Sequence, residues 1–159
     1  MNRPVSQDEA LAVLRAVRDD PEAPRSGYWQ AAWVRDLLLV AWAFHHPERL
    51  PELWRVTWRA DNSGSLQQAA DGGWLYVPTS ASPSNGRRGE YRLASLLADL
   101  TSLYVTEARP RLLRRPSDSL LLMESNHLQR RLCTLFGRHL DREVSMSNIM
   151  RVDLTHALT

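Results

Sequence analysis

The sequence contains no lysine, so all 20 of its basic residues are arginine. No lysine is therefore available as a proton donor anywhere in these 159 residues. Arginine keeps its charge and binds phosphate through paired N–H groups, which suits a phosphate-rich partner. A GC-rich genome produces the same bias, and we favour codon usage as the explanation of the composition taken alone. The formal net charge is only +2.

Cysteine and long apolar runs are also scarce. A single cysteine, Cys133, excludes a disulfide framework or a cysteine-based metal site within the chain. The longest apolar run, residues 37–44, is far too short to cross a bilayer, and no secretory signal is recognisable at the start. The histidines show no metal-ligand spacing. We expect a soluble, cytoplasmic protein with no membrane contact and no metal site.

Apolar spacing predicts that most of the chain is helical. The predicted helices start at the Ser6 cap, cover 28–45 as the central helix, begin again at Leu50, run from Leu93 up to Pro110, and follow Ser125 and Ser145, the last containing Arg151. Strand-like patterns occupy 57–61, 72–78 and 90–93. The length and the lack of linkers favour a single domain over residues 1–159. The predicted fold is α+β, mainly helical, with one small three-stranded antiparallel sheet.

One stretch has the residue types of an anion-binding site. Arg49 and Glu52 are three positions apart at the start of the short helix that follows the central one. Residues at this spacing lie on one helix face, so Glu52 can hold the guanidinium of Arg49 while that group faces an anion. Such pairs are also common on solvated surfaces, and the pair alone does not decide between the two interpretations.

The order of motifs around this pair resembles a known family. Arg49-Leu50-Pro51-Glu52-Leu53, after an apolar helix and before Val56-Thr57-Trp58-Arg59-Ala60-Asp61, resembles the first arginine box of the tyrosine recombinases, or phage integrases. Residues 74–80 are similar to the second strand of that family, and residues 86–93 to the return into its third strand. Val144-Ser145-Met146-Ser147-Asn148-Ile149-Met150-Arg151 is similar to the second box, which usually reads H-x-L-R. The resemblance rests on the order of these motifs along the chain, since no single motif is specific to the family.

The resemblance implies a recombinase catalytic-domain fold and a phosphate clamp. Arg49 and Arg151 match the two arginines that stabilise the negative charge of a phosphodiester transition state. Glu52 matches the acidic residue that orients the first arginine, and Asn148 occupies the usual histidine position. By the same resemblance, no metal or nucleotide cofactor takes part.

The resemblance also implies the partners. Double-stranded DNA is the expected ligand, in DNA integration or recombination within a phage or mobile element, with other recombinase subunits as a second class of partner. Arg87 and Arg88, on the hairpin that leads into the third strand, and Arg55 are further candidate DNA-binding residues.

Three departures from the family pattern bear on catalysis. The hairpin that normally carries a lysine general acid has none, and arginine does not replace it because it does not give up its proton at physiological pH. Asn148 cannot act as an acid or base. The tyrosines, Tyr28, Tyr76, Tyr91 and Tyr104, all precede Arg151, whereas the family's nucleophile follows the second box.

These departures leave three hypotheses open. The first is a degenerate relative that binds DNA without cleaving it. The second is a fragment of an active tyrosine recombinase cut before its nucleophile, which the retained Arg49, Glu52 and Arg151 favour. The third is a helical protein-interaction domain that is unrelated to DNA.

Overall fold

The longest helix, α2 (Gly27–His45), lies at the centre of the computed structural model, which describes residues 3–78 and 90–151. Ten of its 19 residues are buried, and they lie on all sides of the helix. A helix that is apolar all round must be enclosed by other elements. Helices from both halves of the chain pack against α2, and the core includes Leu38, Leu39 and Trp42. The central helix predicted over 28–45 is confirmed.

The first helix, α1 (Gln7–Arg18), begins with the capping box that its sequence predicts. The Ser6 hydroxyl accepts a hydrogen bond from the Glu9 amide at 3.1 Å, and the Glu9 carboxylate accepts one from the Ser6 amide at 3.0 Å. These two bonds satisfy amide groups that have no partner inside the helix. Its buried face, which includes Val13 and Leu14, packs against α2.

The sheet contains three short antiparallel strands in the order β1 (Leu66–Gln68), β2 (Trp74–Tyr76) and β3 (Tyr91–Arg92). The second and third strands were predicted, but the first strand is not at residues 57–61. Thr57 forms only an isolated bridge with Ser119. The amide of Trp58 donates to the carbonyl of Asp118 at 2.8 Å, and the carbonyl of Thr57 accepts from the amide of Leu66 in β1 at 2.9 Å, so this stretch lies between a later loop and the edge of the sheet without forming a strand itself.

A turn after residues 57–61 explains where the first strand forms instead. Asn62 has a left-handed φ of 68°, and the chain reverses there. Gly64 then passes so close to residue 57 that a Cβ on it would lie 2.6 Å from the Thr57 carbonyl oxygen. Leu66, fully buried, pairs with Tyr76 of β2. The buried apolar residue that begins the first strand, Leu66, therefore follows the turn.

The regular elements that follow the sheet in the described chain are helical. They are α3 (Ser95–Leu103), a π-helical turn (Tyr104–Ala108), α4 (Arg109–Leu112), α5 (Ser125–Leu140) and α6 (Met146–Ile149). The helix predicted up to Pro110 continues to Leu112, because Pro110 falls in the first turn of α4, where its missing N–H is not needed.

Arg151 lies outside the last helix, where the sequence had placed it inside. Helix α6 ends at Ile149, and Arg151 has a left-handed φ of 55°. A residue in this conformation cannot continue a right-handed helix. The guanidinium is consequently directed away from the axis of α6 and toward α2, as described below.

The described residues, 3–78 and 90–151, include no helix that is both long and apolar enough to span a membrane.

The burial of α2 predicts the effect of truncating its side chains. Leu39→Ala should lower the free energy of unfolding by about 2–5 kcal/mol, because Leu39 is fully buried and its removal leaves a cavity. The measurement is equilibrium unfolding in urea. Leu96→Ala is the matched control, since Leu96 on α3 is 44% exposed, and its effect should stay within about 0.5 kcal/mol. Equal losses for the two variants would contradict the central position of α2.

Candidate phosphate-binding site

The candidate site begins where α2 ends. His46 follows the last helical residue with φ −138° and ψ 58°, and Pro47 then starts a 3₁₀ helix (Pro47–Arg55). The amide of Arg49 donates to the carbonyl of His46 at 3.0 Å. This tight turn holds the predicted Arg49 and Glu52 pair against the C-terminal end of α2.

Arg49 is held by Glu52 and by an aromatic ring. Its Nη1 lies 3.2 Å from Oε1 of Glu52, and its guanidinium carbon lies 4.7 Å from the ring centroid of Tyr91. The side chain remains 35% exposed, so part of it is accessible to a ligand. The structure thus contains the pair that the i, i+3 spacing predicted.

Arg151 reaches the same end of α2 from about a hundred residues further along the chain. Its Nη2 donates to the carbonyl oxygens of Ala43 at 2.9 Å and Phe44 at 3.2 Å. The last carbonyls of a helix lack partners within it and carry partial negative charge, so a cation stabilises them. Burial lowers the pKa of Arg151, and the nearby Glu48 carboxylate opposes that shift. The fold therefore brings both predicted clamp arginines to one end of α2.

Within residues 3–78 and 90–151, five buried polar atoms around this end of α2 have no hydrogen-bond partner. They are Nε1 of Trp42, Nε2 of His45, Nε2 of His46, the hydroxyl of Tyr91 and Nε of Arg151. A buried polar group without a partner destabilises a fold by about 1–3 kcal/mol, and most such groups in folded proteins are satisfied. Water or another polar ligand at this place would satisfy them.

The two histidines join the site for a reason that the sequence obscured. Adjacent residues within a helix point to different faces, and the sequence therefore favours a solvated or helix-end position for the pair over a shared site. His46 has left the helix, however, and its ring centroid lies 6.3 Å from that of His45 and 5.1 Å from that of Tyr91. Burial lowers the pKa of His45, and burial and the Arg49 charge lower the pKa of His46 against the opposing effect of Glu48. Both imidazoles are therefore neutral at physiological pH.

Two tyrosines from the sheet line the site as well. Tyr76 and Tyr91 are directly paired across β2 and β3, and paired residues share one face of a sheet. Their rings pack edge to face at 5.6 Å, and Tyr76 also packs edge to face on Trp42. Burial, followed by the Glu52 carboxylate, raises the pKa of Tyr76, and burial raises that of Tyr91 although Arg49 opposes it. Neither hydroxyl forms a phenolate readily.

The sequence had placed these tyrosines on strands without a role at the site. Antiparallel pairing of the second and third strands could have suggested that their tyrosines meet. Whether they do so depends on the register of the two strands, which is known only from the structure.

The remaining predicted residues have other positions. Asn148 is 5% exposed, and its Oδ1 accepts from the Ser145 amide at 3.0 Å and from the Ser145 hydroxyl at 2.9 Å. Its side chain therefore caps α6. Arg55 is exposed at the end of the 3₁₀ helix, with its guanidinium carbon 5.0 Å from the ring of Trp54. Arg87 and Arg88 lie outside the described residues.

No group of three metal-ligating side chains occurs in the part of the chain that the structure describes. Comparison of the chain with protein-family models, curated proteins and solved structures found no match. Inferences about function therefore rest on the chain's own residues.

The two buried histidines predict how stability depends on pH. Because their pKa values are lowered in the folded state, the unfolded chain takes up protons first as pH falls below about 6.5, and stability is lost. The double variant His45→Gln/His46→Gln should show a smaller fall in melting temperature between about pH 7.5 and 5.5 than the unchanged protein. Thermal unfolding followed by circular dichroism measures this. His127→Gln, at an exposed position of α5, is the control, and an identical pH profile for the double variant would contradict the prediction.

Proposed function

We propose that this chain is a tyrosine-recombinase-like domain that binds the phosphodiester backbone of double-stranded DNA through Arg49 and Arg151, without cleaving it. The proposal extends to integration or recombination of DNA and to assembly with other recombinase subunits. The observation that supports it most is the convergence on one end of α2 of two sequence-distant arginines and of buried polar atoms that lack hydrogen-bond partners among the described residues.

The geometry of the arginines suits a phosphate. Glu52 engages Nη1 of Arg49, which leaves other N–H groups of the guanidinium for an anion. Arg151 is fixed through Nη2 on the end of α2, and its Nε remains without a partner. A guanidinium that is already held loses little side-chain entropy when a phosphate binds, and its hydrogen bonds to that anion are charge-assisted.

The neighbouring groups can complete such a site. A neutral histidine can donate one hydrogen bond through a ring nitrogen, and a protonated tyrosine can donate one through its hydroxyl. The Nε2 of His46 and the hydroxyl of Tyr91 are of these two kinds, and both are unpartnered. Donors of this kind stabilise a phosphate oxygen without adding charge of their own.

The same geometry argues against cleavage. Attack on phosphorus needs an activated nucleophile, and burial raises the pKa of Tyr76, Tyr91 and Tyr104. Tyr28 is in the first turn of α2, about 26 Å along the helix from His45 at the site. None of the four tyrosines is therefore suited to attack a phosphate held by Arg49 and Arg151.

DNA binding through these arginines predicts a characteristic salt dependence. The affinity for a duplex should fall linearly with the logarithm of salt concentration, and Arg49→Ala should reduce the slope by about 1, because one phosphate contact is lost. Fluorescence anisotropy with a labelled duplex of mixed sequence measures this. Arg49→Ala/Arg151→Ala should weaken binding further.

Two controls accompany this experiment. Arg18→Ala removes an equal charge from the exposed end of α1, where Arg18 pairs with Asp19, and it should leave the slope unchanged. Because Arg151 also caps α2, circular dichroism must show that the double variant is folded, and Arg49→Ala alone tests the site if it is not. Absence of duplex binding at low salt, or equal slopes for Arg49→Ala and Arg18→Ala, would contradict the proposal.

The absence of cleavage predicts that no covalent adduct forms. Incubation with a nicked duplex that traps phosphotyrosine intermediates, followed by denaturing electrophoresis, should show only free protein and free DNA. A slowly migrating band that is lost in Tyr91→Phe but retained in Tyr28→Phe would show that Tyr91 is a nucleophile and would overturn this part of the proposal.

A further inference from the structure

The opposite end of α2 exposes two aromatic rings. Trp29 is 69% exposed and Tyr28 is 38% exposed, and they stack edge to face with their centroids 5.1 Å apart. Among the described residues, Trp29 is the most exposed large hydrophobic side chain. Exposure of an indole ring to water is energetically unfavourable. The Trp29 ring packs against Tyr28, and its exposed face forms a flat platform.

Arginines surround these rings. The guanidinium carbon of Arg114 lies 5.4 Å from the ring centroid of Tyr28, and Arg115 follows it directly. Neither arginine forms an ion pair within residues 3–78 and 90–151. Both charges are therefore available to a partner.

A groove runs past the two rings. Tyr28 lines two adjoining cavities, one of about 390 Å³ that includes Trp29 and Arg138, and one of about 530 Å³ that includes Arg114 and Arg115. We call these two cavities together the aromatic-arginine groove. Its charged lining residues are Arg35, Arg114, Arg115, Arg131 and Arg138 against Asp20, Asp36 and Glu124. Asp36 is already paired with Arg131, so positive charge predominates in the rest of the groove.

We propose that the aromatic-arginine groove binds an unpaired DNA strand. One base stacks on the open face of Trp29, and Arg114 and Arg115 contact the phosphates that follow. An exposed aromatic platform beside a positively charged groove is the arrangement by which proteins bind single strands without reading their sequence. A duplex does not fit this description, because its bases already stack on one another.

The groove favours a nucleic acid over an acidic peptide because of the platform. Carboxylates could pair with the arginines, but an acidic chain gains little from a flat indole face, whereas every base has a π-face to stack on it. The Trp29 platform lies about 24 Å along α2 from the end that carries the candidate phosphate-binding site, so a base stacked on it can bind independently of a phosphate at that site. The choice of DNA over RNA rests on the proposed function.

The experiment measures anisotropy of a labelled oligodeoxythymidine of about 12 nucleotides, a length within the range that single-strand sites cover. The unchanged protein should bind it, and Trp29→Ala should weaken binding at least about fivefold by loss of stacking. Trp29→Tyr should restore most of the affinity, because it restores an aromatic face. Leu96→Ala, which shortens another exposed apolar side chain, should have no effect.

A second variant tests the phosphate contacts. Arg114→Gln should lower the salt slope by about 0.7, the value for one phosphate of a single strand, and Arg15→Gln on the exposed face of α1 should not change it. If Trp29→Ala and Leu96→Ala bind equally well, or if the unchanged protein does not bind the oligonucleotide, the proposal is wrong. Tighter binding of oligouridine or of a polyglutamate peptide would also overturn the assignment of DNA.

The two sites can be told apart in the same assay. Trp29→Ala should leave duplex affinity unchanged, and Arg49→Ala should leave single-strand affinity unchanged. If the unchanged protein binds the single strand but not the duplex, the proposed function is wrong and the groove remains a single-strand site. If Trp29→Ala loses both duplex and single-strand binding, the groove is not a separate site.

Discussion

The enclosure of α2 is the constraint on which the rest of the structure depends. Because buried residues lie on all its sides, the surrounding helices must pack along its length, and the buried Asp36 in its middle is already paired with Arg131. At the C-terminal end, unpaired carbonyls need donors, and Arg151 supplies them. At the N-terminal end, Tyr28 and Trp29 have no core to enter and remain at the surface. Both candidate sites follow from this single helix.

The C-terminal end also shows how a structural contact can prepare a binding site. The hydrogen bonds of Arg151 to Ala43 and Phe44 fix its guanidinium, as the ion pair with Glu52 fixes that of Arg49. Those contacts alone are sufficient for a purely structural role. The unpartnered atoms of His45, His46 and Tyr91 have no such explanation, and they are the reason for assigning the site to a ligand.

Much of the fold could be predicted because the signals were local. The capping box at Ser6 and the apolar run of α2 each define an element from neighbouring residues alone. The first strand was misplaced because the strand-like stretch at Thr57 and Trp58 pairs with residues 118–119, and only the tertiary structure reveals that partner. The left-handed conformation of Arg151 was equally hidden, since an arginine adopts it rarely.

The site could be predicted only in part, because some of its contacts are local in the sequence and others depend on the folded chain. Arg49 and Glu52 could be paired from their spacing, and Arg151 could be matched to them only through the resemblance to the recombinases. Asn148 was placed at the site by that resemblance, whereas its side chain is engaged in capping α6. Tyr76, Tyr91 and His46 enter through strand register and the end of a helix, which are properties of the folded chain.

The most direct test of the account is the NMR spectrum of the arginine Nε–H groups during titration with duplex DNA. The account predicts that the signals of Arg49 and Arg151 shift most, and that those of Arg15 and Arg18 on α1 do not move. Shifts confined to arginines away from the C-terminal end of α2, with Arg49 and Arg151 unchanged, would contradict it.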